Sequence, residues 1–306
     1  MAAFEVITTG LQFPEGPIAM PDGSVVLVEI ARGTLSRVLP DGEVEVIAQL
    51  GGGPNGAAIG PDGLCYVCNN GGVEWHDFNG MLLPGDAAAD YSGGRIEKVD
   101  LETGESEVLY AECGKQDLKA PNDIVFDADG GFWFTDTGKS YGRTMDRSAV
   151  FYAVADGSGI EEVLFPLEMA NGVALSPDEK TLYFSETLQG RIWQFALSGP
   201  GELAAVPQPF DPANLLYGAP GLTGFDSMAV DSAGNVCQAT LIKGGVTVIS
   251  SDGELVDFIP LPDPFVTNIC FGGDDLRSAY ITLAGTGQLI KMDWLRPGLA
   301  LNYLNK

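Results

Sequence analysis

The sequence predicts an all-β fold: a six-bladed β-propeller over residues 1–306, closed by pairing the N-terminal strand with the last blade. Three observations predict it. Helical periodicity is almost absent, while short apolar runs broken by Gly, Pro and Asp recur along the chain. Six of these runs share one frame. Their spacing is close to the length of one four-stranded blade.

The frame reads "EGPIAMPDGSVVLVE" from Glu15, "NGAAIGPDGLCYVCN" from Asn55, "NDIVFDADGGFWFTD" from Asn122, "NGVALSPDEKTLYFS" from Asn171, "DSMAVDSAGNVCQAT" from Asp226 and "NICFGGDDLRSAYIT" from Asn268. Each copy begins at a polar residue. Seven positions on stand Asp22, Asp62, Asp129, Asp178, Ala233 and Asp275, and Gly follows in four copies (Gly23, Gly63, Gly130, Gly234). Asp-Gly suits a tight hairpin, because the short side chain caps its own turn and Gly accepts a positive φ. Fourteen positions on, the second strand ends at Glu29, Asn69, Asp136, Ser185, Thr240 or Thr282. The copies start 40, 67, 49, 55 and 42 residues apart, with extra length mainly after the second. Past the sixth hairpin, "GQLIKMDW" gives one more strand and leaves that blade an outer strand short, which "FEVITTG" near the N-terminus supplies. A pair of β-sandwiches also uses short strands, but it predicts no six-fold frame.

Forty-two acidic against sixteen basic residues give a net charge of −26, a field that repels nucleic acid and anionic membrane surfaces and concentrates cations. The N-terminal residues lack the pattern of a secretory signal, and no apolar stretch reaches membrane-spanning length. The expectation is a cytoplasmic protein with neither nucleic acid nor membrane as partner, monomeric by default because a closed ring leaves no sheet edge to cover, with a dimer as the alternative. The five cysteines are an odd set and suggest no disulfide framework. Cys65 and Cys68 form a C-x-x-C, but on a strand residues three apart point to opposite faces and cannot share a metal.

In a propeller the innermost strands line a central channel, so Glu15, Asn55, Asn122, Asn171, Asp226 and Asn268 are expected to gather at one rim. All six offer oxygen and none offers sulfur or imidazole, which suits a hard cation: Ca²⁺ first, with Mg²⁺, Mn²⁺, Fe²⁺ or Zn²⁺ as alternatives. Carboxylates converging without a cation would repel one another and raise their own pKa values. Polar residues at strand starts also serve simply to solvate a channel.

The stretches "FPEGPIAMPDGSV", "PNDIVFDADGGFWFTD", "NGVALSPDEKTLYFSET", "FDSMAVDSAGN" and "TNICFGGDDLRSAYIT" resemble, in that order, the recurring motifs of the senescence-marker-protein/gluconolactonase (regucalcin-like) family. The resemblance runs over nearly the whole chain. It implies a six-bladed propeller with a divalent cation at the channel mouth, enzymes that mostly hydrolyse lactones, and phosphotriesterase activity among relatives. It places the metal ligands on Glu15, Asn122, Asn171 and Asp226. It also marks two departures: Ala120 stands where sugar lactonases of the family often carry Arg, and Asn55 where paraoxonase-like relatives carry His.

The chemistry expected is opening of a lactone, with a metal-polarised carbonyl and attack by water. Asp226 is the expected general base, and Asp123 and Asp136 are candidates for a supporting role. His76 is the only histidine; it lies in an irregular insertion with no G-x-S-x-G to partner it, against a Ser-His-Asp hydrolase. That insertion, residues 71–97, offers Trp75, Phe78, Met81 and Leu82 as an apolar lid with His76 at its rim, or else packs on the blade edge. Residues 211–224 lead to Asp226 and offer Leu215, Leu216 and Tyr217 as a second apolar wall, favouring a lactone more hydrophobic than a sugar lactone. Trp133 and Phe134 read as core between blades. The competing functions are a phosphotriesterase built on the same metal site and a non-catalytic propeller that binds a ligand or protein on its face.

Overall fold

A computed structural model of the chain describes residues 3–206 and 211–306. Six antiparallel sheets stand around a central channel, as the frame predicts. Blade 1 runs outward through Pro14–Ala19, Val25–Glu29, Thr34–Val38 and Val44–Gln49; blade 2 through Pro54–Ile59, Cys65–Asn69, Arg95–Val99 and Ser106–Tyr110. Blade 3 comprises Pro121–Phe126, Gly131–Asp136, Ser148–Val154 and Ile160–Leu167. Blade 4 comprises Ala170–Leu175, Thr181–Glu186 and Arg191–Gly199, whose outer edge pairs with both Glu202–Leu203 and Leu215–Gly218. Blade 5 follows as Gly224–Val230, Val236–Leu241, Gly245–Ile249 and Leu255–Pro260. Blade 6 is Val266–Gly272, Ser278–Leu283 and Gln288–Asp293, completed by the N-terminal strand Glu5–Thr9, which pairs Thr9 with Gln288. No described helix is long and apolar enough to cross a membrane.

The core is divided among the six spaces between neighbouring blades. Alternation along a strand sends successive side chains to opposite faces, so Phe134 packs with Phe132, Phe151 and Tyr66 between blades 2 and 3, while Trp133 packs with Val150 and Phe184 between blades 3 and 4. The same alternation separates Cys65, in the space between blades 1 and 2, from Cys68, in the space between blades 2 and 3.

At the axis the inner strands approach backbone to backbone. A Cβ on Gly16 would lie 2.6 Å from the Asn55 carbonyl oxygen, one on Gly56 2.4 Å from that of Asn122, and one on Gly172 2.7 Å from that of Asp226. Glycine directly after the first frame residue thus lets neighbouring blades close up and brings consecutive frame residues together. The opposite mouth is covered by the C-terminal segment. Leu299 donates its N–H to Val230 O at 2.9 Å, Asn302 Nδ2 reaches Phe126 O at 3.2 Å, and Tyr303 Oη reaches Ala128 O at 3.0 Å. Between this segment and the frame residues lies an apolar cavity of about 120 Å³ lined by Ile18, Ile124, Phe126, Met228 and Leu301.

Two details depart from the sequence reading. The blade 4 hairpin turn holds one residue more than that of blade 1, as the pairs Leu175↔Leu182 and Ala19↔Val25 show, so Glu186 and not Ser185 pairs with the start of the inner strand. Residues 211–224 do not wall the channel: Leu215–Gly218 is an outer strand of blade 4, and Tyr217 packs against Phe225 at 6.2 Å between ring centres.

Gly56→Ala is expected to lower unfolding stability by about 2 kcal/mol or more, because the new methyl meets backbone that cannot move aside cheaply. A urea titration of the two proteins checks this through the shift in midpoint.

Candidate metal centre

Each inner strand begins with a break in register, between Glu15 and Ile18 in blade 1, Pro121 and Ile124 in blade 3, and Phe225 and Met228 in blade 5. A bulge re-aims side chains that strict alternation would separate, and here it leaves two consecutive polar residues enclosed at the strand start, of which Asp123, Asp226 and Ser227 act on Glu15. Asn122 and Asp123 come from blade 3, Asp226 and Ser227 from blade 5. The frame carries a polar residue at this second position only in those two copies; elsewhere it is Gly16, Gly56, Gly172 or Ile269. Ser227 was not singled out from sequence, and this pattern is the signal that marks it.

Glu15 is the centre of the cluster and is 2% exposed. Its Oε2 accepts Asn268 Nδ2 at 2.7 Å and the Gly16 N–H, and its Oε1 accepts Ser227 Oγ at 3.1 Å. Burial, then Asp226 and then Asp123, push the Glu15 carboxyl well above the usual range. Asp123 holds the Ile124 N–H on Oδ1 at 3.0 Å and the Val173 N–H on Oδ2 at 3.1 Å, yet burial pushes its carboxyl up to about 7. Asp226 is likewise pushed up to about 7 by burial, against the hydrogen bond from Asn171. The Asp226 carbonyl is pinned by Ser185 Oγ at 2.8 Å and Gln238 Nε2 at 2.7 Å.

Asn55, Asn122 and Asn171 are each 7% exposed, so these amides are buried like Glu15 and Asp123, while Asp226 is partly exposed. Asn122 Oδ1 is buried with no hydrogen-bond partner among the described residues, the kind of orphan acceptor that calls for an explanation. Among the described residues no lysine or arginine makes an ion pair with Glu15, Asp123 or Asp226. Three acids, an orphan amide oxygen and no cationic side chain fit a hard dication. The donors are mixed: among the described residues no group of three or more His, Cys, Asp or Glu could hold a metal by itself.

The other candidates divide. Asp136 lies outside the cluster: Lys119 N and Ala120 N at 2.7 Å and Gly138 N at 2.9 Å occupy its oxygens, so it clamps the loop that leads to Asn122. Trp75 sits on Phe13, two residues before Glu15, with ring centres 5.0 Å apart. His76 is exposed on the inserted hairpin, and Tyr217 is on the outer edge of blade 4. Sequence reasoning also missed Lys139. Its ammonium is buried under the insertion, donating to Gly72 O at 2.8 Å and Asn70 Oδ1 at 3.1 Å. Burial pushes it down to about 8 against the pull of Asp136.

Residues 13–285 match the family model described as the SMP-30/Gluconolactonase/LRE-like region. The chain is 32% identical over 289 residues to the lactonase drp35 of Staphylococcus saprophyticus, covering 94% of this chain and 79% of that protein. It is 28% identical over 295 residues to the gluconolactonase of Zymomonas mobilis, covering 88% and 75%. Among solved structures, a gluconolactonase from Xanthomonas campestris superposes with a TM-score of 0.73 at 24% identity, covering 95% of this chain and 89% of that one. The calcium-binding protein regucalcin from Agrobacterium tumefaciens superposes with a TM-score of 0.73 at 18% identity, covering 98% of each chain.

The raised carboxyls make the metal-free fold depend on protons. Their folded pKa values lie above the ordinary 3.8 of an aspartate, so the stabilisation is complete below that value and is lost as pH rises through about 7. In chelator, the thermal midpoint is therefore expected to fall between about pH 5 and about pH 8, and saturating Ca²⁺ is expected to flatten the dependence, because a bound cation replaces the protons. Differential scanning fluorimetry across that range, with and without Ca²⁺, checks it.

Proposed function

The chain belongs to the SMP-30/gluconolactonase/LRE-like family, and from that premise we propose that it is a metal-dependent lactonase acting on lactones more hydrophobic than sugar lactones. The observation that carries the reading is the mutual repulsion of Glu15, Asp123 and Asp226, with no cationic side chain among the described residues in ion-pair contact with them, together with the buried and unpartnered Asn122 Oδ1 one residue before Asp123. Glu15, Asn122, Asn171 and Asp226 would hold one divalent cation, Ca²⁺ before Mg²⁺, Mn²⁺, Fe²⁺ or Zn²⁺, which when bound supplies Lewis acidity toward a carbonyl oxygen.

The chain's own residues do the rest. Gly16 N–H, Asn268 and Ser227 fix the Glu15 carboxylate. Both oxygens of Asp123 are committed to backbone N–H groups, so it contributes charge and not proton transfer. Asp226, oriented by Asn171, accepts the proton of the attacking water as its oxygen bonds to the carbonyl carbon. It returns that proton to the ring oxygen when the ring C–O bond breaks, leaving a hydroxy acid.

The loops at this mouth support the substrate class. Phe78, Tyr141, Met145, Leu188 and Ile242 are exposed apolar residues on connections that emerge at this end of blades 2 to 5. Such a rim suits an alkyl- or aryl-substituted ring.

Hydrolysis of such lactones is expected to vanish on chelation and return with one added ion, measured across a panel of sugar, alkyl and aryl lactones. Turnover of a phosphotriester in place of every lactone would reassign the substrate. Asp226→Asn is expected to lower kcat by about a hundredfold or more while leaving the fold intact by circular dichroism; full activity in that variant would remove Asp226 from its role.

A further inference from the structure

The insertion leaves and rejoins blade 2 through two glycine pairs, Gly71–Gly72 and Gly93–Gly94. Gly71, Gly72 and Gly93 have φ of 78°, 111° and 87°, conformations that favour glycine. The pairs lie side by side: a Cβ on Gly71 would fall 2.6 Å from Gly93 O. Between them stands the hairpin Val73–Phe78 and Met81–Ala87, with His76 and Phe78 exposed on it.

Specific contacts hold this hairpin down. Trp75 packs on Phe13, in the segment that delivers Glu15. Blade 3 contributes Ser140, whose Oγ donates to Asp86 Oδ1 at 2.6 Å and whose carbonyl accepts the Ala87 N–H at 2.8 Å. It also contributes Lys139, whose ammonium joins Gly72 O and Asn70 Oδ1 and lies 5.3 Å from the centre of the Tyr91 ring. Lys139 is 3% exposed; among the described residues it makes no ion pair, its hydrogen-bond acceptors are neutral, and Asp136 attracts it only from a distance. Burying an ammonium against neutral acceptors is costly, and here the cost is met at the hinge, where one side chain ties Gly72 and Asn70 of the insertion's base to blade 3.

We propose that residues 73–87 form a flap hinged at the two glycine pairs, and that Lys139 is the positioning residue that latches it beside Glu15, setting how large a lactone the site admits. The size selection rests on the lactonase reading; the latch does not.

The test is hydrogen–deuterium exchange on the full chain carrying Lys139→Met, with Lys139→Arg as the conservative variant. Amides of residues 73–87 are expected to exchange about tenfold faster or more in K139M, with the inner strands unchanged and K139R nearer the original. In the same variant, KM for a bulky alkyl lactone is expected to shift by about fivefold or more, with kcat and the constants for a small unsubstituted lactone held. Unchanged exchange at 73–87, or an equal acceleration throughout blades 2 and 3, overturns the latch. Should K139M fail to fold, Ser140→Ala carries the same exchange measurement, and no response there overturns it equally. A protein that turns over no lactone retires the size selection, while exchange still decides the latch.

Discussion

Three carboxylates held within reach of one another at the axis are the constraint on which the arrangement of the molecule turns. Glu15, Asp123 and Asp226 come from blades 1, 3 and 5, and blades 2, 4 and 6 supply the amides Asn55, Asn171 and Asn268. Alternating acid and amide around the ring gives two of the acids a neutral neighbour that donates, while Asp123 is held by backbone N–H groups. Asn268 serves Glu15 in this way and Asn171 serves Asp226. The repulsion that remains is seen in the upward push on Glu15 from both aspartates. In the function proposed above, a bound cation would relieve that repulsion.

Holding such a cluster requires rigid loops above it, and a second tier of buried acceptors supplies them. Glu29 accepts the Gln12 N–H at 2.9 Å, Asn69 the Gly53 N–H at 2.9 Å, Asp136 those of Lys119 and Ala120, and Glu186 that of Glu168 at 2.9 Å. Each acceptor stands at the end of a second strand and grips the loop that enters the neighbouring inner strand. Asp136 thus acts on Asn122 through the backbone and not by facing a ligand. Acidic residues do two different jobs in this ring: one layer concentrates charge, and the other, satisfied by N–H groups, fixes geometry.

The two ends of the channel are unequal. One is covered by the C-terminal segment over an apolar cavity; the other carries the polar cluster, the apolar loop residues and the hairpin tied to Lys139. The loop-bearing mouth is where the chain departs most from its repeat.

The sequence by itself determined what repeats: the hairpin turns at Asp-Gly, the six inner strands, the N-terminal strand that completes blade 6, and the polar residue opening each inner strand. These are legible because local turn chemistry and strand alternation write them into a fixed frame. Tertiary structure alone decided which of those polar residues work together. The bulges turn Asp123 and Ser227 inward beside Asn122 and Asp226, a change of one residue in register that alternation cannot forecast. The longer turn in blade 4 moves the clamp from Ser185 to Glu186. Residues 211–224 spend their apolar side chains on an outer strand, so Tyr217 never reaches the channel. Lys139 carries no local signature at all, since its partners Asn70, Gly72 and Tyr91 lie far from it in sequence and meet it only when blades 2 and 3 close around the axis.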